Sequence, residues 1–188
     1  MSLSAPEART SPADYLAVER AASTKHELWR GEIFTMEGVS YAHNRIVANL
    51  VGALGSALSE GPCVPLPSDM KVHIPSREAF VYPDVSIVCG APQFFDAAQD
   101  VLTNPAAVFE VLSESTERFD RSEKSVGYRS VPSLRELVLV SQHERRVEHY
   151  TRGSDGTWVL REHAGEGSVA LACGGTITLD AIYRATGA

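Results

Sequence analysis

Two acids stand where an ordinary strand carries none. Glu110 interrupts the apolar run from Ala106 to Leu112, and Asp84 follows Pro83 just ahead of the alternation Val85, Ile87, Cys89. A carboxylate rarely sits in a core unless it is paired or binds a metal. Pro83 cannot donate to a ladder, so Asp84 falls at a strand start, a bulge or an exposed edge. On neighbouring strands the two carboxylates would repel unless a divalent cation neutralised them, and such hard oxygen donors suit magnesium or manganese. A cation of this kind holds a phosphate oxygen and acidifies an attacking water. A nearby lysine orients that water or stabilises developing negative charge. Lys124 is the candidate, because it is the only lysine after Lys71.

Each of these residues also has an ordinary use. Asp84 after proline is a common turn former. Glu110 can belong to a buried salt bridge with Arg118 or Arg121. Lys124 can pair with Asp120 at helical spacing. Ser113, Ser115 and Thr116 have no partner base and read as caps, with Asp120 at the helix entrance. "ERFDRSEKSVGYR" mixes Arg118, Arg121, Lys124 and Arg129 with Glu117, Asp120 and Glu123. Such a face is solvated and offers phosphate contacts, Arg121 among them. Trp29 and Trp158 read as core or sheet-face aromatics.

The elements that must position these groups follow from pattern. Ser11 and Pro12 open a short helix in "SPADYLAVER". "HELWRGEIFTM" alternates on both sides of Arg30-Gly31, as a hairpin does. "SYAHNRIVANLVGALGSALSEG" places Ile46, Leu50, Ala53, Leu54, Ala57 and Leu58 on one face of a helix ending at Gly61. Extended segments follow in "CVPLP", "DMKVHIP" and "FVYPDVSIVCG", then the strand Ala107 to Leu112. A helix from about Ser122 stops at Pro132. "LRELVLVSQ", "RRVEHYTRG" and the later segments read as strands and hairpins with a terminal helical turn. The sum is a mixed α/β or α+β domain around one central sheet, with additional C-terminal β-hairpins. Residues 1–188 read as one domain, with 1–11 flexible.

Composition narrows the classes. Seventeen Lys and Arg stand against 24 Asp and Glu, for a net charge of −7, so general salt-dependent coating of nucleic acid is disfavoured while a local basic surface is not. Cys63, Cys89 and Cys173 lack zinc spacing and a disulfide framework, and read as small apolar residues in a reducing compartment. No apolar stretch spans a bilayer and no signal peptide is visible, so a cytoplasmic location is expected.

The segments "HELWRGEIFTM", "AHNRI", "YPDVSIV", "FEVLSEST", "FDRSEKSVGYRSVPSLREL" and "VEHY" resemble the PD-(D/E)XK nuclease superfamily, and within it the Uma-type family of restriction-endonuclease-like proteins. The resemblance runs from about Tyr15 to Tyr150. It implies a restriction-endonuclease-like mixed sheet flanked by helices, and a metal-dependent phosphodiesterase site with Asp84 and Glu110 as ligands. The family's usual lysine, two residues after the glutamate, is Leu112 here, so the lysine role passes to Lys124 on the following helix. The resemblance also implies an accessory acid from the first hairpin, matching Glu32, and a histidine on the first long helix, matching His43. Before the next strand the chain reads "SVPSLRELVLV" in place of the Gly-Val and aromatic pair of related chains, a packing variant away from the metal ligands.

The leading expectation is therefore a magnesium- or manganese-dependent endonuclease acting on nucleic acid, DNA by first choice. The alternatives are a catalytically silent nucleic-acid or protein-interaction module on the same fold, and a small-molecule phosphoesterase. A homodimer is expected from edge strands in "RRVEHYTRG" and "VALACGGTITL" that need covering. On this reading Lys124→Ala abolishes cleavage and leaves the melting temperature nearly unchanged, whereas Leu112→Ala costs a few kcal/mol.

Overall fold

A computed structural model describes residues 9–114 and 116–187. The expected flexibility of the first eleven residues falls mostly on residues outside this range, as does any capping by Ser115. Helix α1 (Pro12–Glu19) starts as its sequence requires: the Ser11 hydroxyl accepts the Asp14 amide at 3.2 Å and Pro12 occupies the first turn. Strands β1 (His26–Trp29) and β2 (Glu32–Thr35) form a hairpin whose two turn residues, Arg30 and Gly31, both have positive φ. A two-residue turn matched to strand twist requires that conformation, and glycine adopts it without strain. Helix α2 (Tyr41–Ala57) is capped by the Ser40 hydroxyl, which accepts the His43 amide at 3.1 Å.

Next come β3 (Cys63–Pro67), β4 (Lys71–Ile74), β5 (Ala79–Val81), β6 (Val85–Cys89), β7 (Val101–Leu102) and β8 (Ala107–Leu112). A short α3 (Glu117–Phe119) runs through a π-helical turn (Asp120–Lys124) into α4 (Ser125–Arg129). Strands β9 (Glu136–Ser141), β10 (Arg146–Arg152), β11 (Trp158–Ala164), β12 (Ser168–Ala170) and β13 (Thr176–Thr178) lead to α5 (Leu179–Ile182).

The expected single central sheet is in fact two. One has the order β2-β1-β5-β4-β7, the other β11-β10-β9-β8-β6-β3, and β12-β13 form a separate hairpin. The chain passes from the first sheet to the second between β5 and β6, through Tyr82, Pro83 and Asp84. Pro83 has no amide to donate, and the Asp84 carboxylate takes the Val111 amide that a strand carbonyl would otherwise accept. The ladder therefore breaks there, and the site forms at the break.

Alternate residues of β8 serve two cores. Ala107, Phe109 and Val111 pack with Ile46, Leu50 and Leu54 of α2. Val108 and Leu112 pack on the opposite side with Trp29, Leu137, Leu139 and Tyr128. Glu110 shares the parity of Val108 and Leu112, so it enters the second core.

Two further expectations change. Cys63 and Cys89 lie directly opposite in the β3–β6 register and are joined by a disulfide, leaving Cys173 as the free thiol. Sequence separation hid this, because only strand pairing places residues 26 apart face to face. Disulfides persist mainly in oxidising compartments, so the cysteines no longer argue for a reducing one. Among the described residues no helix is long and apolar enough to cross a membrane. The segment "RRVEHYTRG" is not an edge: β10 lies between β9 and β11. "VALACGGTITL" folds onto itself as β12-β13 and buries Val169 and Ile177 in the α2 core.

Candidate active site

Glu110 is 4% exposed, and its Oε1 accepts the Tyr128 hydroxyl at 2.6 Å and faces Lys124 Nζ at 3.0 Å. The same ammonium reaches Glu27 Oε1 at 3.1 Å and Asp120 Oδ1 at 3.7 Å. Asp120, Lys124 and Tyr128 are spaced by four, and all three are buried on one face of the helix that follows β8. The π-helical turn spans the first two. Such turns widen a helix locally and often occur at functional positions. The result is one cation among three carboxylates, sealed by a tyrosine.

Asp84 stands beside this group. Its Oδ2 accepts the Val111 amide at 2.7 Å, so the residue after Glu110 ties the two acids into one unit. The Nε2 of His43, from the first turn of α2, lies 3.3 Å from the same oxygen. His43 is 5% exposed and its Nδ1 is buried without a hydrogen-bond partner.

Burial dominates the electrostatics. It pushes the Glu110 carboxyl up to about 8; Lys124 pulls the other way, while Asp120, Asp84 and Glu27 raise it further. For Lys124 burial works against the charge, but Glu110, Glu27, Tyr128 and Asp120 outweigh it and hold the ammonium well above its ordinary value. Tyr128 is raised well above the usual phenol range by burial and by Glu110, and stays a donor. Lys124 is thus charged at neutral pH, and Glu110 carries its proton most of the time.

The structure brings together Asp84, Glu110, Lys124 and His43. It does not bring in Glu32, which sits exposed on the outer strand β2 opposite Trp29. The hairpin acid at the cluster is Glu27, whose Oε1 also accepts the Tyr82 amide at 2.8 Å. Sequence reasoning missed Glu27 and the contact made by Tyr128. The available signal was parity: Glu27 lies two residues before the buried Trp29 and shares its side of β1. Arg121 is turned to other partners, pairing with Glu117 at 2.8 Å and with Glu148. The basic partner of Glu110 is Lys124, in place of Arg118 or Arg121.

Asp84, just ahead of β6, and Glu110 on β8 offer hard oxygen donors, and the Asp84 charge acts on Glu110. Among the described residues no group of three or more His, Cys, Asp or Glu side chains is arranged to hold a metal ion. Two carboxylates nevertheless fit magnesium or manganese, which keep water and take substrate oxygens as further ligands. The set does not form a closed structural cage.

A cleft of about 350 Å³ opens at Asp84, with Lys25, Met36, Val39, His43 and Ser68 in its walls. A second, of about 450 Å³, lies between α1 and Phe95, away from the acids.

Comparison with known proteins identifies the fold and the family. The fold matches a crystal structure of "a putative nuclease belonging to DUF820" from Anabaena variabilis, with a TM-score of 0.73 over 91% of this chain and 96% of that one, at 12% identity. The architecture is that of the restriction-endonuclease-like nucleases. A model of the Uma2 family, described as "Putative restriction endonuclease", matches residues 12–179, and the chain belongs to that family. Two relatives from Synechocystis sp. support the assignment. Uncharacterized protein sll1609 is 39% identical over 154 residues, covering 82% of this chain and 87% of its own. Uncharacterized protein slr1290 is 34% identical over 182 residues, covering 96% and 95%.

Proposed function

We propose that this chain is a divalent-metal-dependent endonuclease that hydrolyses phosphodiester bonds of nucleic acid, DNA by first choice, as one domain over residues 1–188. The observation that carries the reading is the buried meeting of Glu110 and Lys124 beside Asp84, which itself lines an open cleft. Burying one lysine among three carboxylates is costly for a fold that gains nothing else from it. Asp84 and Glu110 would hold magnesium or manganese; when bound, the ion supplies charge at a phosphate oxygen and acidifies a water. Lys124 would orient that water and stabilise the developing negative charge. Tyr128 fixes the Glu110 carboxylate, and Glu27 keeps the ammonium in place. His43 backs Asp84 at the cleft wall, where substrate would pass. Glu32 and Arg121 receive no role, one for its distance along the hairpin and the other for its two carboxylate partners. Of the two edge segments that suggested a homodimer, β10 is interior, and the two-stranded β12-β13 hairpin keeps its outer edges.

A second reading, the silent interaction module, is favoured by one observation: Lys124 already neutralises the acid that a metal would need. Thermal melts with and without manganese, run beside cleavage of plasmid and single-stranded DNA, separate the two. The nuclease reading expects manganese to raise the melting temperature of wild type and leave Asp84→Asn unmoved, because a ligand bound only by the folded form stabilises it by mass action. An equal response in both proteins removes the metal site, and absence of cleavage on every DNA and RNA tested favours the module.

A further inference from the structure

The chain has three lysines, and all three border the segment Tyr82–Asp84 that joins the sheets. Lys124 reaches Glu27, which holds the Tyr82 amide. Lys71 and Lys25 lie over the Tyr82 ring, with Nζ at 5.2 and 5.1 Å from its centroid. Lys71 is 4% exposed and committed to Asp100 at 2.9 Å. Lys25 differs, for its side chain is 39% exposed and lines the cleft that leads to Asp84. Its partners there are the Ser68 carbonyl at 3.1 Å and Asp69, whose side chain is 87% exposed. An ion pair this open to water exchanges readily for a phosphate. The only acids in the cleft wall among the described residues are Asp84 and the exposed Glu37.

The size of the cleft limits what enters. About 350 Å³ is at the low end for small-molecule sites, enough for one nucleotide unit and far too little for a duplex. The acids are recessed, with side-chain exposures of 17% for Asp84 and 6% for Glu110. A phosphodiester can meet them only if its nucleotide has left the stack. The lip supplies apolar contact through Met36 and Val39, and the neighbouring Tyr41 is 76% exposed at the start of α2, open to stacking on a base.

We infer that the cleft at Asp84 is a subsite for one unpaired nucleotide, with Lys25 contacting its phosphate, so that the substrate is single-stranded or locally unpaired nucleic acid. This rests on the nuclease reading for the chemistry, but the binding claim is tested apart from it. Fluorescence anisotropy of the full chain in a metal chelator compares a labelled single strand of about twelve nucleotides with the same sequence as a blunt duplex. The single strand is expected to bind at least about tenfold more tightly. Lys25→Ala is expected to weaken it about tenfold and reduce the salt slope by roughly 0.7, the share of one phosphate contact on a single strand. Glu37→Gln, which removes a like charge from the phosphate's path, is expected to tighten it. Equal affinity for duplex, no measurable single-strand binding, or an unchanged affinity and salt slope in Lys25→Ala overturns the subsite. Manganese-dependent cleavage measured in parallel keeps the two claims separate. Duplex cleavage indifferent to Lys25→Ala retains the nuclease and removes the subsite. Lys25-dependent single-strand binding without cleavage does the reverse.

Discussion

Replacing Lys124 with alanine tests whether the buried cation holds the site together. The side chain is 7% exposed and lies within 3.0 to 3.7 Å of Glu110, Glu27 and Asp120. Removing one partner from a buried ion pair costs about 3–5 kcal/mol, because the other charge stays buried and unpaired. For a chain of this length each kcal/mol shifts the midpoint by about 2–4 °C, so a fall of roughly 6–20 °C is expected in metal-free protein. The loss should depend on pH. Glu110 already titrates near 8, above its ordinary 4.5, and without the ammonium its folded-state value rises further. Folded wild type and variant both bind more protons than the unfolded chain, but the variant keeps its Glu110 proton to higher pH. The deficit therefore opens as pH rises toward and through about 8. The deficit against wild type should be greatest at pH 8 and least near pH 5. Melts followed by circular dichroism at pH 5, 7 and 8 in chelator measure it. A variant that melts within about 2 °C of wild type at pH 8, well inside the shift set by one kcal/mol or less, or a deficit that does not shrink toward pH 5, would refute the argument. Either result would mean that the carboxylates find water or another partner. From sequence this substitution is expected to leave the melting temperature nearly unchanged, and the burial of Lys124 argues for the opposite.

Two other outcomes follow from packing and burial. A Cβ on Gly127 would come within 2.7 Å of the Trp29 ring, so Gly127→Ala should lower stability by about 1–3 kcal/mol in denaturant titration, and an unchanged midpoint would show that the indole yields freely. Burial first, and then Glu136, raises the Cys173 thiol from 9.0 to about 12. At pH 8 its thiolate is about a thousandfold scarcer than that of an ordinary thiol, partly offset by greater intrinsic nucleophilicity, so alkylation by iodoacetamide should run about thirtyfold slower than on a free thiol. A rate equal to that of the free thiol would mean that this half-buried thiol is open to water in solution.

The sequence by itself determined the local elements and the main chemical parts. The Ser11 and Ser40 caps, the Arg30-Gly31 turn and the apolar face of α2 each depend on neighbours within a few residues, so they could be read directly. Asp84 and Glu110 were legible as acids that break a strand pattern, and Asp120 and Lys124 as a pair at helical spacing. Tertiary structure decided which of these meet. Glu27 rather than Glu32 reaches the cluster because β1 is interior and β2 is the outer strand: Glu32 pairs directly with Trp29 and shares its side, but only Glu27 stands on the strand beside β5. The Cys63–Cys89 link, the split into two sheets and the interior place of β10 all depend on register between strands distant in sequence. The same is true of Lys124. Its charge can be read from one letter, but its burial depends on three carboxylates brought in from β1, β8 and the helix itself, and only the folded chain supplies them together.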